Sequence, residues 1–327
     1  MTLSQQYDSL LLDLDGTVWA GGAAIDWAVD SIKQAGLPSV YVTNNASRGP
    51  QEVADKLNGI GLDVAATDVL TSAQAAITLA ESVLEPGDPV YVVGAPSFKD
   101  LVTSAGYRVV DSADENPKVV LHGHFTETGW HQLSEAALAI RGGATYLATN
   151  LDTTLPMERG LHVGNGSMVA AVTSATGVTP ASAGKPGPTM FHQAASGLQS
   201  QRPLVVGDRL NTDIAGGVAA KMDVLHVLTG VSGPLELIEA PAEQRPTYIG
   251  EDLRALSEFG ANLVPGPQGG FTARVDGNDI LLLAGDEGAT SVQALRTVLN
   301  VAWAMNEPPE FIRPMSAQAE AATAQWW

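Results

Sequence analysis

Leu10-Leu11-Leu12-Asp13-Leu14-Asp15-Gly16-Thr17 is the stretch from which the architecture is read most directly. Its leucines form a nearly unbroken apolar run that stops at a glycine, the pattern of a parallel-sheet strand buried on both faces. Polar residues then begin abruptly. Residues two apart on a strand point to the same side, so Asp13 and Asp15 leave its carboxyl end toward one small volume. That end is where open α/β sheets bind ligands. Two carboxylates so close repel each other unless a cation or a shared proton relieves them, which predicts a metal site or an acid/base pair. Gly16 lets the backbone turn tightly.

Two further apolar strands end in polar residues. Val40-Tyr41-Val42 runs into Thr43-Asn44-Asn45, a hydroxyl and two amides suited to holding an oxyanion, or equally to building a turn. Leu204-Val205-Val206 runs into Gly207-Asp208-Arg209-Leu210-Asn211-Thr212-Asp213. Asp208 repeats the arrangement of the first strand, and Asp213 either caps the following helix or stands near the same metal. Ahead of this third strand, Gly184-Lys185-Pro186 places a lysine in a rigid turn. Helices are expected over residues 26–34 and 46–58.

Between the second and third of these strands the chain builds a second unit. Helical stretches at residues 73–83, 98–105, 131–140 and 168–175 alternate with apolar runs at 90–93, 107–110, 119–121 and 146–148, which implies another mainly parallel sheet. Thr149-Asn150-Leu151-Asp152 and Gly164-Asn165-Gly166-Ser167 sit at its turns and are candidate substrate contacts. The unit is an insertion, because the polar strand ends resume only after it.

Composition narrows the function. The chain has 327 residues, with 36 Asp plus Glu against 17 Lys plus Arg and a formal net charge of −19. That balance argues against nucleic acid or an anionic membrane as the main partner. The chain has no cysteine, so disulfides, thiolate catalysis and cysteine-ligated zinc are excluded. No signal-like leader or membrane-length apolar run is evident, and a cytoplasmic protein is expected.

Taken in order, Asp-x-Asp-Gly-Thr, Thr-Asn, Lys and Gly-Asp-x-x-x-Thr-Asp resemble the haloacid dehalogenase-like phosphatase superfamily. The large insertion looks like that of its subclass IIA with a C2-type cap, which includes phosphoglycolate, glycerol-3-phosphate, pyridoxal-phosphate and nitrophenyl-phosphate phosphatases. The resemblance covers residues 7–258. It implies a Rossmann-like parallel-sheet core (1–72 and 181–258) with an inserted α/β cap (73–180). It also implies a magnesium-dependent phosphomonoesterase acting on a small metabolite, glycerol 3-phosphate being favoured over phosphoglycolate, pyridoxal phosphate, sugar phosphates and nucleotides. In that reading Asp13 is the nucleophile that becomes an aspartyl-phosphate and Asp15 the general acid and base. Asp13, the Asp15 carbonyl and Asp208 hold Mg²⁺, with Asp213 in support. Lys185 neutralises charge at the reacting centre, and Thr43 and Asn44, with the adjoining Asn45, bind phosphoryl oxygens. Asn150, Asp152 and Pro156 match the cap's Thr-Asn-x-Asp-x-x-x-Pro pattern, and 164–167 its Gly-x-Gly-Ser pattern. Cap-mediated homodimerisation is common in the subclass and is left open here. So is the competing class, a non-catalytic phosphate-sensing or interaction protein.

His122-Gly123-His124 departs from the subclass, whose members often carry an aspartate after the equivalent cap strand. It makes a weak zinc candidate, because no third ligand is suggested by spacing. Arg159 and His162 lie near the specificity turn. After Phe259 the family pattern ends, and a small α+β annex (259–327) is expected. In it, strands at 271–275 and 280–283 are joined around Asp276-Gly277-Asn278. A helix carrying Val292, Leu295, Leu299 and Ala302 on one face packs on them, and a loosely held tail ends in Trp326-Trp327.

Overall fold

Leu10, Leu11 and Leu12 are fully buried, and so are Leu204, Val205 and Val206. In the computed structural model, which describes residues 1–157 and 159–326, the two runs are the neighbouring parallel strands Ser9–Leu12 and Pro203–Gly207, with Leu12 opposite Val206. The chain divides into two compact units. One comprises Met1–Ser39, Ile60–Leu62 and Ala195–Trp327, the other Val40–Gly59 and Asp63–Ala194.

In the first unit the strands Tyr248–Gly250, Asp223–Val227, Pro203–Gly207 and Ser9–Leu12 lie side by side in that order, all parallel. Parallel pairing aligns their carboxyl ends, so the residues following Leu12 and Gly207 emerge together. Asp13 is locked in this register by its backbone N–H, which donates to the Val206 carbonyl at 2.9 Å.

The second unit holds a five-stranded parallel sheet in the order Ala181–Ser182, Thr145–Ala148, Val119–His122, Pro89–Val93, Arg108–Val110. Tyr91, Val93, Val120 and Tyr146 pack there with Ala136 and Ile140 of the helix Trp130–Arg141 and Val169 and Val172 of the helix Asn165–Thr176. The strands Thr154–Met157 and Gly160–Val163 form an antiparallel hairpin. Ser39–Thr43 pairs in parallel with Val69–Thr71. Thr71 then starts the helix Ser72–Ala80 with a capping box: its hydroxyl accepts from Gln74 N–H, and the Gln74 side chain accepts from Thr71 N–H.

Some boundaries differ from the sequence expectation for local reasons. The helix expected from Ala46 begins only at Pro50, because Asn45 Oδ1 accepts from both the N–H and the hydroxyl of Ser47 and holds a turn there. The helix expected from Met168 begins at Asn165.

The annex is a three-stranded sheet in the order Phe271–Asp276, Asp279–Ala284, Ile312–Pro314, with the helices Ser291–Ala302 and Ala317–Thr323. The turn is shorter than expected: Asp276 and Asp279 pair, which leaves Gly277-Asn278 alone at the tip, with Gly277 at φ 65°. Val292, Leu295, Leu299 and Ala302 are buried as expected. The loose tail is a correction. Trp326 is buried, and its indole N–H donates to Ser291 Oγ at 2.8 Å; Trp327 lies outside the described residues.

Arg296, on the helix Ser291–Ala302, is buried although it carries a full charge. Its Nε and Nη2 donate to the carbonyl of Ile249, in the outermost strand of the first unit's parallel sheet, and its Nη1 donates to Gln268 Oε1 at 3.2 Å. The annex thereby caps an edge strand whose backbone would otherwise be left open. Arg296→Leu leaves the Ile249 carbonyl buried without these donors, and urea unfolding should show a loss of about 2 kcal/mol in a single shared transition. A separate early transition confined to the annex would mean that the annex is an independent appendage.

Candidate active site

Asp13 follows directly on the buried strand Ser9–Leu12, and Asp208 follows directly on Pro203–Gly207. Asp213 lies in a single π-helical turn, Leu210–Ile214. One carboxylate oxygen from each of the three lies within 4.8 Å of the others, and Asp208 and Asp213 are buried. Three like charges at that spacing are held apart from bulk water only at high cost, and a hard cation relieves it. The donor set is oxygen alone, which fits Mg²⁺ and not a soft metal. Asp213 does not cap the following helix Ala215–Ala219, whose N-cap is Ile214; its Oδ2 accepts from Arg209 N–H at 3.1 Å.

Glycines make this packing feasible. A Cβ on Gly16 would lie 2.5 Å from Asp208 Oδ2, and Gly16 sits at φ 93°. On Gly230 it would lie 1.9 Å from the same oxygen. On Gly207 it would strike Asp213 Cβ at 2.3 Å. The segment after the strand Asp223–Val227 binds both walls of the carboxylate group. Thr229 Oγ1 donates to the Gly16 carbonyl at 2.6 Å, Val231 N–H to Asp208 Oδ2 at 2.6 Å, and Ser232 N–H to the Asp208 carbonyl at 3.1 Å.

Asp15 stands outside this trio. It is exposed, and its Oδ1 accepts from Trp19 Nε1–H at 2.9 Å. A carboxyl group open to solvent and oriented by an indole is free to exchange protons with a substrate.

The other site residues belong to the second unit. Thr43 and Lys185 are buried. The Thr43 hydroxyl accepts from Asn45 N–H, and Lys185 Nζ donates to the Val42 carbonyl at 3.2 Å. Asn44 is engaged on all sides: its Nδ2 donates to Asp152 Oδ2 at 3.1 Å and to the Lys185 carbonyl at 3.0 Å, while its Oδ1 accepts from Lys185 N–H at 2.8 Å. Both amide hydrogens of Asn44 are thus occupied in joining the lysine turn to the cap turn, and Asn45 is occupied with Ser47. Asn150 donates to the Asn44 carbonyl at 2.8 Å, and its Oδ1 accepts from Asp152 N–H at 3.2 Å.

Asn165 lies in the 164–167 turn, whose residues the sequence marks as candidate substrate contacts. It is buried, and its Nδ2 bridges the carbonyls of His122 and Asn150, at 3.2 and 2.8 Å, tying the specificity turn to a cap strand. His122 is buried, with Nδ1 at 2.8 Å from the Tyr146 hydroxyl, and burial pushes its imidazole down to about 4. Neither His122 nor His124 enters a group of potential metal ligands among the described residues. Arg159 and His162 are exposed. The side chain of Pro156 lies outside what the structure describes.

With this geometry in view, likeness to known proteins is informative. A profile described as haloacid dehalogenase-like hydrolase matches residues 10–108, and one described as HAD-hydrolase-like matches residues 182–256. A D-glycerol 3-phosphate phosphatase of Mycobacterium tuberculosis is 41% identical over 336 residues, spanning 99% of this chain and 95% of that protein. An acid sugar phosphatase of Staphylococcus aureus is 38% identical over 263 residues, 78% of this chain and 99% of that protein. The crystal structure of a glycerol phosphate phosphatase from Mycobacterium tuberculosis in complex with magnesium has TM-score 0.95 at 41% identity, covering 100% of this chain and 98% of that one. The chain belongs to the haloacid dehalogenase-like hydrolases. The superfamily expected from the four motifs is borne out, as is the parallel-sheet core with a cap.

Two expectations follow. Gly230→Ala drives a methyl group into Asp208, and initial-rate assays should show turnover lower by about 100-fold, the cost of a displacement of about 1 Å in the carboxylate group. His122 has a folded-state value below its unfolded value of about 6.5, so the unfolded chain takes up the proton first as pH falls. Its contribution is therefore full above about pH 6.5 and is lost on the way down to about 4. Between pH 7 and pH 5, wild type should lose about 2 kcal/mol more than His122→Gln in urea titrations.

Proposed function

We propose that this protein is a magnesium-dependent phosphatase that hydrolyses a small phosphomonoester, with glycerol 3-phosphate as the favoured substrate. The observation that carries this reading is the gathering of the Asp13, Asp208 and Asp213 carboxylates within 4.8 Å at the ends of parallel strands. Its support is the near full-length likeness to a phosphatase named for that substrate and to a structure that contains magnesium.

Asp13 Oδ attacks phosphorus, and the bond from phosphorus to the substrate's ester oxygen breaks as Asp15 delivers a proton to that oxygen. The product alcohol leaves, and Asp13 carries the phosphoryl group. Asp15, now ionised, takes a proton from water. The water oxygen attacks phosphorus, the bond to Asp13 Oδ breaks, and inorganic phosphate departs with both carboxyl groups returned to their starting states. Asp13, Asp208, Asp213 and the Asp15 carbonyl would hold Mg²⁺, which when bound offsets the negative charge of the phosphoryl group and the carboxylates. Lys185 supplies a further positive charge, and the Thr43 hydroxyl a donor, for phosphoryl oxygens. The Asn44 side chain acts by fixing Lys185 and Asp152, not as a free donor.

Residues 73–180 are assigned to a C2-type cap that selects the leaving group. Asp152 favours glycerol over glycolate: a carboxylate accepts hydrogen bonds from hydroxyl groups and repels a second carboxylate. Phosphate release from glycerol 3-phosphate, phosphoglycolate, pyridoxal phosphate, sugar phosphates and nucleotides should show the highest kcat/KM for glycerol 3-phosphate. It should vanish with chelator and fall by about 10³-fold or more in Asp13→Asn. Turnover that survives Asp13→Asn overturns the mechanism. Binding of these compounds with no wild-type turnover favours a phosphate-sensing protein instead.

A further inference from the structure

His226 is fully buried in the strand Asp223–Val227, opposite Gly207, the residue from which Asp208 emerges. Its Nε2 lies 2.9 Å from the Ser232 carbonyl oxygen, which only accepts, so Nε2 carries the proton. Its Nδ1 is buried without a hydrogen-bond partner. Burying an imidazole in this state costs free energy that leucine at the same place would not. The side-chain hydrogen bond from His226 to Ser232 is therefore a feature that an apolar residue could not supply.

That interaction leads to Asp208. Ser232, whose carbonyl His226 holds, donates its own N–H to the Asp208 carbonyl at 3.1 Å and accepts from Leu210 N–H on its Oγ at 3.1 Å. Its neighbour Val231 donates N–H to the Asp208 carboxylate itself, on Oδ2. Gly230 leaves no clearance against that carboxylate. The segment 229–232 is thus fastened to Asp208 along one side and to His226 at its far end. Were His226 unable to donate, Ser232 and Val231 would lose one of the anchors that set their N–H groups against Asp208.

We propose that His226 is a positioning residue for the metal site, acting through the Ser232 carbonyl and the Val231 N–H to fix the orientation of the Asp208 carboxylate. The inference rests on the reading of Asp208 as a metal ligand, and the experiment separates the two.

Mn²⁺ binding without substrate is measured by calorimetry on wild type, Asp208→Asn, His226→Leu, His226→Gln and Ser232→Ala, each beside its thermal midpoint. His226→Leu removes the donor, and affinity should fall about tenfold, the lower range for groups behind a metal ligand. In His226→Gln the amide N–H takes the place of Nε2–H, and affinity should return to within about threefold of wild type. Ser232→Ala, which keeps the carbonyl but frees Leu210 N–H, should weaken binding by an intermediate factor. A merely structural role would lower the thermal midpoints without separating Leu from Gln in Mn²⁺ affinity. Wild-type affinity in His226→Leu, or equal losses in the Leu and Gln variants, overturns the proposal. If His226→Leu does not fold, undiminished affinity in Ser232→Ala does so instead. If Asp208→Asn binds Mn²⁺ as wild type does, it is the metal reading that fails.

Discussion

The rest of the structure depends on holding the carboxylates of Asp13, Asp208 and Asp213 within 4.8 Å of one another. Left to themselves, these charges would move apart or take up protons. Two buried parallel strands launch Asp13 and Asp208 in fixed register, a π-helical turn brings Asp213 to the group, and backbone N–H groups of Arg209 and Val231 meet the carboxylate oxygens. Gly16, Gly207 and Gly230 stand where any side chain would collide with a carboxylate. Packing of the core thus stabilises an arrangement that electrostatics alone disfavours, and a bound cation would supply the missing attraction.

Much of this was legible in the sequence because buried strands and strand-end carboxylates have local signatures. Leu10 to Asp15 carry both within six residues. Spatial partnerships were less legible. The hydroxyl and amides of Thr43-Asn44-Asn45 read equally as oxyanion donors or as a turn, and the structure divides them: Asn45 builds a turn with Ser47, while Asn44 joins Lys185 to Asp152, more than a hundred residues away. No local pattern announces such a bond. The bonds made by Asn165 and His226 were illegible for the same reason, since their partners are carbonyl oxygens, which every residue has.

The annex shows a related limit. Hairpin and helix were visible as alternation and helical spacing, but the third strand, Ile312–Pro314, is too short to signal itself and forms because Asp279–Ala284 offers it an edge. Trp326 looked like tail composition, yet its ring is buried and its N–H bonded. Arg296 joins the annex to Ile249, Trp303 Nε1–H donates to the Leu237 carbonyl at 2.9 Å, and Arg245 lies over the Trp303 ring. These contacts bind the annex into the first unit. The staphylococcal relative is spanned almost whole by about four-fifths of this chain.

The central claim is that Asp13 carries the phosphoryl group during turnover, and peptide mass spectrometry of enzyme quenched in acid during the reaction with glycerol 3-phosphate tests it most directly. The account predicts the mass of one phosphoryl group on the peptide containing Asp13, fragmenting to that residue and absent when substrate is omitted. An active enzyme carrying the phosphoryl group on another residue would contradict it.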